Sequence, residues 1–280
     1  MAQPFLSPVR PVVALLTDFG SRDGYVGIMK GVMLGIAPDA HLIDITHDIA
    51  PQDIALGAWL LATSYRYFPA GTIFTCVVDP GVGSTRYPIA LHAGEQFFVA
   101  PDNGVLSYVL AQQPLHAAVR LSNAAYHLST VSATFQGRDI FAPVSAHLAQ
   151  GVPFSSLGEA LEPATLQRLD LKLPIRQEES IAAHIIHIDH FGNLVTSIPL
   201  NMVPDLFDLL SVRLAFPARH LVISERRRYF AAQPAQGKDD EPFIYVDSSG
   251  YLAVAIRNAN AARALGIQTD ERVTLILKIV

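Results

Sequence analysis

Apolar residues run along this chain in short bursts that end in aspartate or in turn residues, and the bursts alternate with longer stretches of helical period. "PVVALLT", "HLIDIT" and "GTIFTCVVD" read as strands; Asp23 to about Ala37 and "PQDIALGAWLLATSYRYF" read as the helices between them. Strands at "YPIALH" and "QFFVA" and helices at "GVLSYVLAQQ" and "RDIFAPVSAHLAQ" follow. Such alternation predicts an α/β layered domain. The pattern changes after about Gly151. Residues 152–179 carry several prolines and little periodicity, as a connector would, and then come "SIAAHIIHID", "LVTSI", "EPFIYVD", "GYLAVAI" and "RVTLILKIV", with "NANAARALG" as a short helical candidate. The fold class is therefore α/β: an N-terminal layered α/β domain at 1–165 and a smaller, mainly β, barrel-like C-terminal domain at 166–280. One detail of the first helix stands out. Gly27, Gly31 and Gly35 form a row at spacing four. Each costs about 1 kcal/mol of helix stability relative to alanine, so the row predicts close approach of helix to sheet.

Composition narrows the setting. Half of the 280 residues are hydrophobic, ample for a real core, yet no apolar run approaches the roughly 18 residues of a membrane span. The N-terminus lacks a signal-peptide layout, so the expectation is a soluble, cytoplasmic protein. Cys76 is the single cysteine and sits in an apolar strand, where a small buried thiol suits a reducing compartment. A net charge of -5 argues against nucleic acid as the main partner, and the basic run Arg226-Arg227-Arg228 reads as a solvated loop.

Candidate chemistry lies at the strand ends, because open α/β sheets bind ligands beyond the carboxyl ends of their strands. Asp18 follows "VVALLT", Asp79 follows "TIFTCVV", Asp102 follows "QFFVA" and Asp189 follows "AHIIHI". A single such aspartate is ordinary turn or cap chemistry; four in one chain are a theme, although Asp102 in "PDNG" has the best claim to a purely structural role. The carboxylates could hold a divalent cation or accept hydrogen bonds from a polyhydroxy ligand. The second is favoured, since the ten histidines show no ligand spacing and no HExxH or DxDxDG cluster occurs. A GxGxxG loop is absent, and "GVGSTR" lacks the Walker lysine.

Taken together, "TDFGSRDGYVGIMKGV", "VVDPGVGSTR", "PDNG", "TFQGRDIFAP", "HIDHFGNLVTSI" and "DSSGYLAVAIRNANAA" resemble the S-adenosyl-L-methionine hydroxide adenosyltransferases, relatives of the fluorinating and chlorinating enzymes. The resemblance covers the chain from about residue 12 onward. It implies hydrolysis of S-adenosyl-L-methionine to adenosine and L-methionine by water or hydroxide attacking C5′, with neither metal nor cofactor. It also implies a homotrimer whose active sites lie between subunits. On the same ground Asp18 receives the ribose hydroxyls, Asn193 makes further ribose contacts, and the last motif lines the adenine through Ser248, Ala253 and Ile256. Ala253 stands where the family pattern suggests an acidic residue, which leaves a main-chain contact as its route.

The nucleophile side departs from the pattern. Asp79 and Arg86 match the water-activating residues that the resemblance implies, but the third position, histidine in "TFHGRD", is Gln136 here. Glutamine can hold a water but cannot take its proton. An arginine beside a carboxylate also favours the charged form and weakens it as a base. Desolvation, hydroxide taken from solvent, or a slower reaction on Asp79 alone are the routes left open. A carboxylate at position 79 would repel a halide, which disfavours a 5′-halogenase. The alternative from another class is a non-catalytic adenosine or S-adenosylmethionine binding protein. Arg138 and Asp139, next in the chain, read as structural, with Asp139 serving free backbone donors at a helix start.

Overall fold

The computed structural model describes residues 10–209, 211–232 and 240–278. The chain divides into two compact units, Met1–Asp170 and Leu171–Val280.

The first unit runs β1 (Val12–Thr17), α1 (Tyr25–Ile36), β2 (His41–Thr46), α2 (Ile54–Ser64), β3 (Ile73–Val77), β4 (Pro88–Ala93), β5 (Gln96–Pro101), α3 (Ser107–Gln112), β6 (Leu115–Arg120), α4 (Ala142–Ala149) and β7 (Glu159–Ala160). Its sheet has the order β2-β1-β3-β5-β4-β6-β7. Neighbouring strands from β2 to β5 pair in parallel, and the remaining pairs are antiparallel. The period-2 rule explains why β1 is apolar throughout. Val13 and Leu15 face a core with Met29, Met33 and Phe141, while Ala14 and Leu16 face another with Leu61, Tyr65 and Phe74. Helices therefore cover both faces, and the carboxyl ends of β1, β3 and β5 all lie at one edge of the layer. Cys76 is wholly buried in the second of these cores, where burial pushes its thiol far up.

The second unit comprises β8 (Ile175–Gln177), β9 (Ser180–Ile188), β10 (Leu194–Pro199), β11 (Ser211–Phe216), β12 (Leu221–Ile223), β13 (Phe243–Val246), β14 (Tyr251–Ala255), α5 (Ala261–Leu265) and β15 (Arg272–Lys278). It is one antiparallel sheet, nearly a barrel, of order β12-β11-β15-β9-β10-β14-β13 with β8 on β9, wrapped around a single core. Ile279 and Val280, counted into the last strand from sequence, lie outside the described residues.

Four expectations change. The run Arg226-Arg227-Arg228 is not a solvated loop, since Arg227 is wholly buried and Arg226 donates to the carbonyl oxygens of Leu206 and Leu209 at 2.6 and 2.9 Å. The row Gly27, Gly31 and Gly35 faces outward, with no atom within 4 Å of where a Cβ would stand; Met29 and Met33 make the contact with the sheet. The connector carries the short strands β7 and β8, and β6, β11 and β12 are additional. The segment from Gly137 to Phe141 is a π-helical turn ahead of α4 rather than α-helix. Among the described residues no helix is long and apolar enough to cross a membrane.

Candidate active site

Four strand ends meet their expected aspartates: Asp18 after β1, Asp79 after β3, Asp102 after β5 and Asp189 after β9. Thr17 pairs with Val77 across β1 and β3, so Asp18 and Asp79 follow adjacent parallel strands one position out of register, and of the two Asp79 lines the cleft described below. Asp18 is half-buried, and its Oδ2 accepts the backbone N–H of Gln52 at 2.8 Å. The turn after β3 doubles back through Val82 N–H to Asp79 O (3.2 Å) and Ser84 N–H to Gly81 O (3.0 Å), which returns Arg86 onto Asp79. Arg86 Nε donates to Asp79 Oδ1 at 3.0 Å and its NH2 group donates to Oδ2, a two-pronged charge-assisted pair. The side chains are 4% (Asp79) and 10% (Arg86) exposed. Neither charge could remain there alone without a large desolvation cost.

Gln136 completes the group. Its Oε1 accepts a second bond from Arg86 NH2 at 2.6 Å. Arginine has only donors, so the glutamine oxygen must face it and the amide NH2 is the group left for the cleft. The cleft, about 370 Å³, is lined by Asp79, Val82, Phe135, Gln136, Phe19 and Tyr25, among others. Gly83 allows the two loops to meet. It has φ of 78°, and a Cβ there would lie 2.6 Å from the carbonyl oxygen of Ala133.

Sequence reasoning missed the aromatic wall. Phe19, Tyr25 and Phe135 make a closed edge-to-face triangle, with ring centroids 5.9, 6.0 and 5.1 Å apart. The signal was present, since each aromatic stands in a motif already singled out, beside Asp18, Asp23 and Gln136. Asp139 is structural, but not as a helix cap. Wholly buried, it accepts the backbone N–H of Ser132 at 2.7 Å and two bonds from Arg138. Burial pushes its carboxyl up; the bonds from Arg138 and Ser132 outweigh this and hold it below the ordinary carboxylate range. Asp102 is buried too and anchors the backbone N–H of Gln167 at 2.9 Å. Burial raises its carboxyl, with that N–H pulling the other way.

In the second unit, Asp189 organises the turn that presents Asn193. Its Oδ1 accepts the backbone N–H groups of Phe191 (2.9 Å) and Asn193 (2.8 Å), and its Oδ2 accepts from Asn193 Nδ2 at 2.7 Å. Asn193 is 5% exposed and keeps its amide oxygen for another partner. Gly192, at φ 87°, passes so close to Asn260 that a Cβ would lie 2.1 Å from that side chain. The three residues assigned to adenine are not gathered in one place. Ser248 is exposed in the turn before β14, Ala253 lies mid-strand and wholly buried between β10 and β13, and Ile256 stands just past the strand end. From Tyr251 to Ile256 an extended strand covers roughly 16 Å. Leu194 pairs with Val254, so Asn193 belongs with the Ile256 end and Ser248 with the other. Ala253's main chain sits inside the ladders, whereas that of Ile256 lies beyond them.

The comparisons with known proteins follow the same two units. Residues 13–158 match the SAM hydroxide adenosyltransferase N-terminal domain and residues 183–274 match the C-terminal domain of that family. The chain belongs to the SAM hydroxide adenosyltransferase family. Among the family's curated relatives, the (R)-S-adenosyl-L-methionine hydrolase of Salinispora tropica is 38% identical over 94% of this chain and 96% of its own length. The protein of the same name from Thermus thermophilus is 33% identical over 96% and 100%. The fluorinase of an Actinoplanes species is 28% identical over 95% and 97%. A crystal structure of an uncharacterized conserved protein from Thermotoga maritima superposes with a TM-score of 0.86 at 31% identity, covering 94% of this chain and 99% of that one. Within this family fold, Asp18, Asp79, Arg86 and Gln136 all lie in the N-terminal unit, and Asn193, Ser248, Ala253 and Ile256 in the C-terminal unit.

Proposed function

We propose that this protein hydrolyses S-adenosyl-L-methionine to adenosine and L-methionine. The reading is supported by the hydrolases named above and by one observation of this chain: a nearly buried Asp79 clamped by Arg86 from behind, with Gln136 on the same guanidinium and the Asp79 and Gln136 side chains both lining one cleft. Water enters that cleft and attacks C5′ from the side opposite sulfur. The C5′–O bond forms, the C5′–S bond breaks, and sulfur leaves with the electron pair as a neutral thioether that needs no acid. The barrier therefore falls on the water, which has to be aligned and relieved of a proton. Asp79 is the only member of the group able to accept that proton. Gln136 donates from its amide NH2 to a water lone pair, which turns a water proton toward Asp79 and the remaining lone pair toward C5′. Phe19, Tyr25 and Phe135 give the cleft an apolar wall, and hydroxide and sulfonium charges cancel as the reaction proceeds. Asp18 holds the ribose hydroxyl pair, with Asn193 at the sugar and Ile256 at the adenine.

Metal independence belongs to the same proposal. A neutral thioether needs no Lewis acid in order to leave, and among the described residues no three His, Cys, Asp or Glu side chains form a ligating set. So does a homotrimer with active sites shared between subunits. It is supported by the outward glycine row of α1, flanked by Ile28 (47% exposed) and Leu34 (44%) and by Ile43 (41%) on edge strand β2, an apolar face that a second copy would cover. A cytoplasmic setting fits the substrate and the unpaired Cys76.

The test is Asp79→Ala. Turnover should vanish while adenosine affinity, measured by calorimetry, stays within a few-fold, because the ribose and adenine contacts lie elsewhere. Unchanged turnover would remove Asp79 as the proton acceptor.

A further inference from the structure

Asp18 ends a strand, and nothing in an extended backbone by itself fixes where its carboxylate points. Its neighbours do so through a set of bonds outside the cleft. Thr17 is wholly buried at the end of β1, where a valine would extend the core; a buried hydroxyl there is tolerated only if it is hydrogen-bonded. Its Oγ1 lies 2.9 Å from His47 Nδ1 and accepts the backbone N–H of Phe19 at 3.3 Å. On the far side of the imidazole, the buried Nε2 lies 2.9 Å from Asp44 Oδ1, an ion-pair contact without the alignment of a hydrogen bond, and Lys30 Nζ donates to Asp44 Oδ2 at 2.6 Å. Burial pushes the Asp44 carboxyl up, but Lys30 and His47 outweigh it and keep the group an acceptor. The imidazole is thus held between the Thr17 hydroxyl at Nδ1 and the Asp44 carboxylate at Nε2.

Two more tethers reach the same turn from the same segment. His47 O accepts the backbone N–H of Gly20 at 2.8 Å, and the backbone N–H of Gln52 donates to Asp18 itself. Gln52 holds φ at 71°, a left-handed conformation that residues other than glycine seldom adopt. Strain of this kind persists where surrounding bonds over-determine the backbone, and it gathers at functional sites.

We infer that Thr17 and His47 are positioning residues for Asp18: the relay Lys30–Asp44–His47–Thr17, with the Gln52 N–H, fixes the "TDFG" turn so that the carboxylate is presented to a ribose hydroxyl pair. The inference rests on the ribose role proposed for Asp18. It predicts that disturbing the relay weakens recognition of the sugar hydroxyls specifically, beyond any loss of folded protein.

The experiment compares binding of adenosine and 2′-deoxyadenosine by calorimetry in the wild type, Thr17→Val, Thr17→Ser and Asp44→Ala, with a thermal melt of each. The wild type should prefer adenosine. Thr17→Val should cut that preference about tenfold, the weight of one hydrogen bond to a charged group. Thr17→Ser, which keeps the hydroxyl, should retain it. Asp44 is 41% exposed, so Asp44→Ala offers a second variant if Thr17→Val fails to fold, and it should shift the preference in the same direction. A preference unchanged in both relay variants, with only the melting temperature lowered, overturns the relay while leaving Asp18 its role. Equal affinity of the wild type for the two nucleosides removes the ribose role and this inference with it.

Discussion

At the scale of single residues, the site depends on which atom of each polar group is already committed. Arg86 claims both oxygens of Asp79 and the oxygen of Gln136, and what remains for a substrate water is an acceptor on one side and an amide donor on the other. Asp139 shows the same economy in a structural setting. Its carboxyl is held below the ordinary value of 3.8 by Arg138 and Ser132 against the opposing effect of burial. A group whose folded pKa is depressed contributes stability in full above its unfolded value and loses it as pH falls toward the folded one. Acidification below about pH 4 should therefore remove a contribution that Asp139→Asn lacks at every pH; melting temperatures of the two proteins should converge as pH drops. Parallel curves would show that Asp139 adds no such term. Asp18 and Asp79 were legible in the sequence because an apolar run stopping at aspartate is a strand-end signature. Arg86 was legible only through resemblance, since a partner seven residues away requires a loop that doubles back. The glutamine–arginine bond was not legible at all, because nothing in "TFQGRD" says which loop faces it.

At the scale of elements, glycine had two meanings. The row on α1 was read as close packing against the sheet, yet periodicity alone cannot say which side of a helix is inward when apolar residues occupy both. Met29 and Met33 took the sheet side, leaving the glycines out. Gly83 is the position where absence of a Cβ brings the Asp79 loop against the Gln136 loop. Gly83→Ala meets both a left-handed φ and a 2.6 Å contact with a backbone oxygen, so it should cost about 1–3 kcal/mol and lower turnover more than it lowers adenosine affinity. Denaturant titration and paired kinetics check this; a variant as active and stable as the parent would show that the loops do not depend on that approach. The long strands and helices were legible from period and length. β11 carried the signal as well, with Val212, Leu214 and Phe216 alternating inward, but the intervening Arg213 broke its apolar run. β7, at two residues, has no period to detect.

At the scale of the whole molecule, the residues proposed for the nucleophile and for the ribose hydroxyls lie in the α/β unit, and Asn193 and Ile256 lie in the antiparallel near-barrel. Composition and the change of pattern near residue 151 were enough to see that the chain has two kinds of architecture. The spread of Ser248 and Ile256 to opposite ends of β14 was not visible, because a motif contiguous in sequence still spans the length of a strand. Attack of water at C5′, with methionine as the leaving group, is open to one direct measurement. Purified protein is incubated with S-adenosyl-L-methionine in water enriched in oxygen-18, with and without chelator, and the products are resolved by chromatography and mass spectrometry. Hydrolysis at C5′ should give adenosine carrying the heavy oxygen at its 5′ position, unlabelled methionine, and no effect of chelator. Tight adenosine binding without product would contradict it and make the protein a nucleoside-binding module.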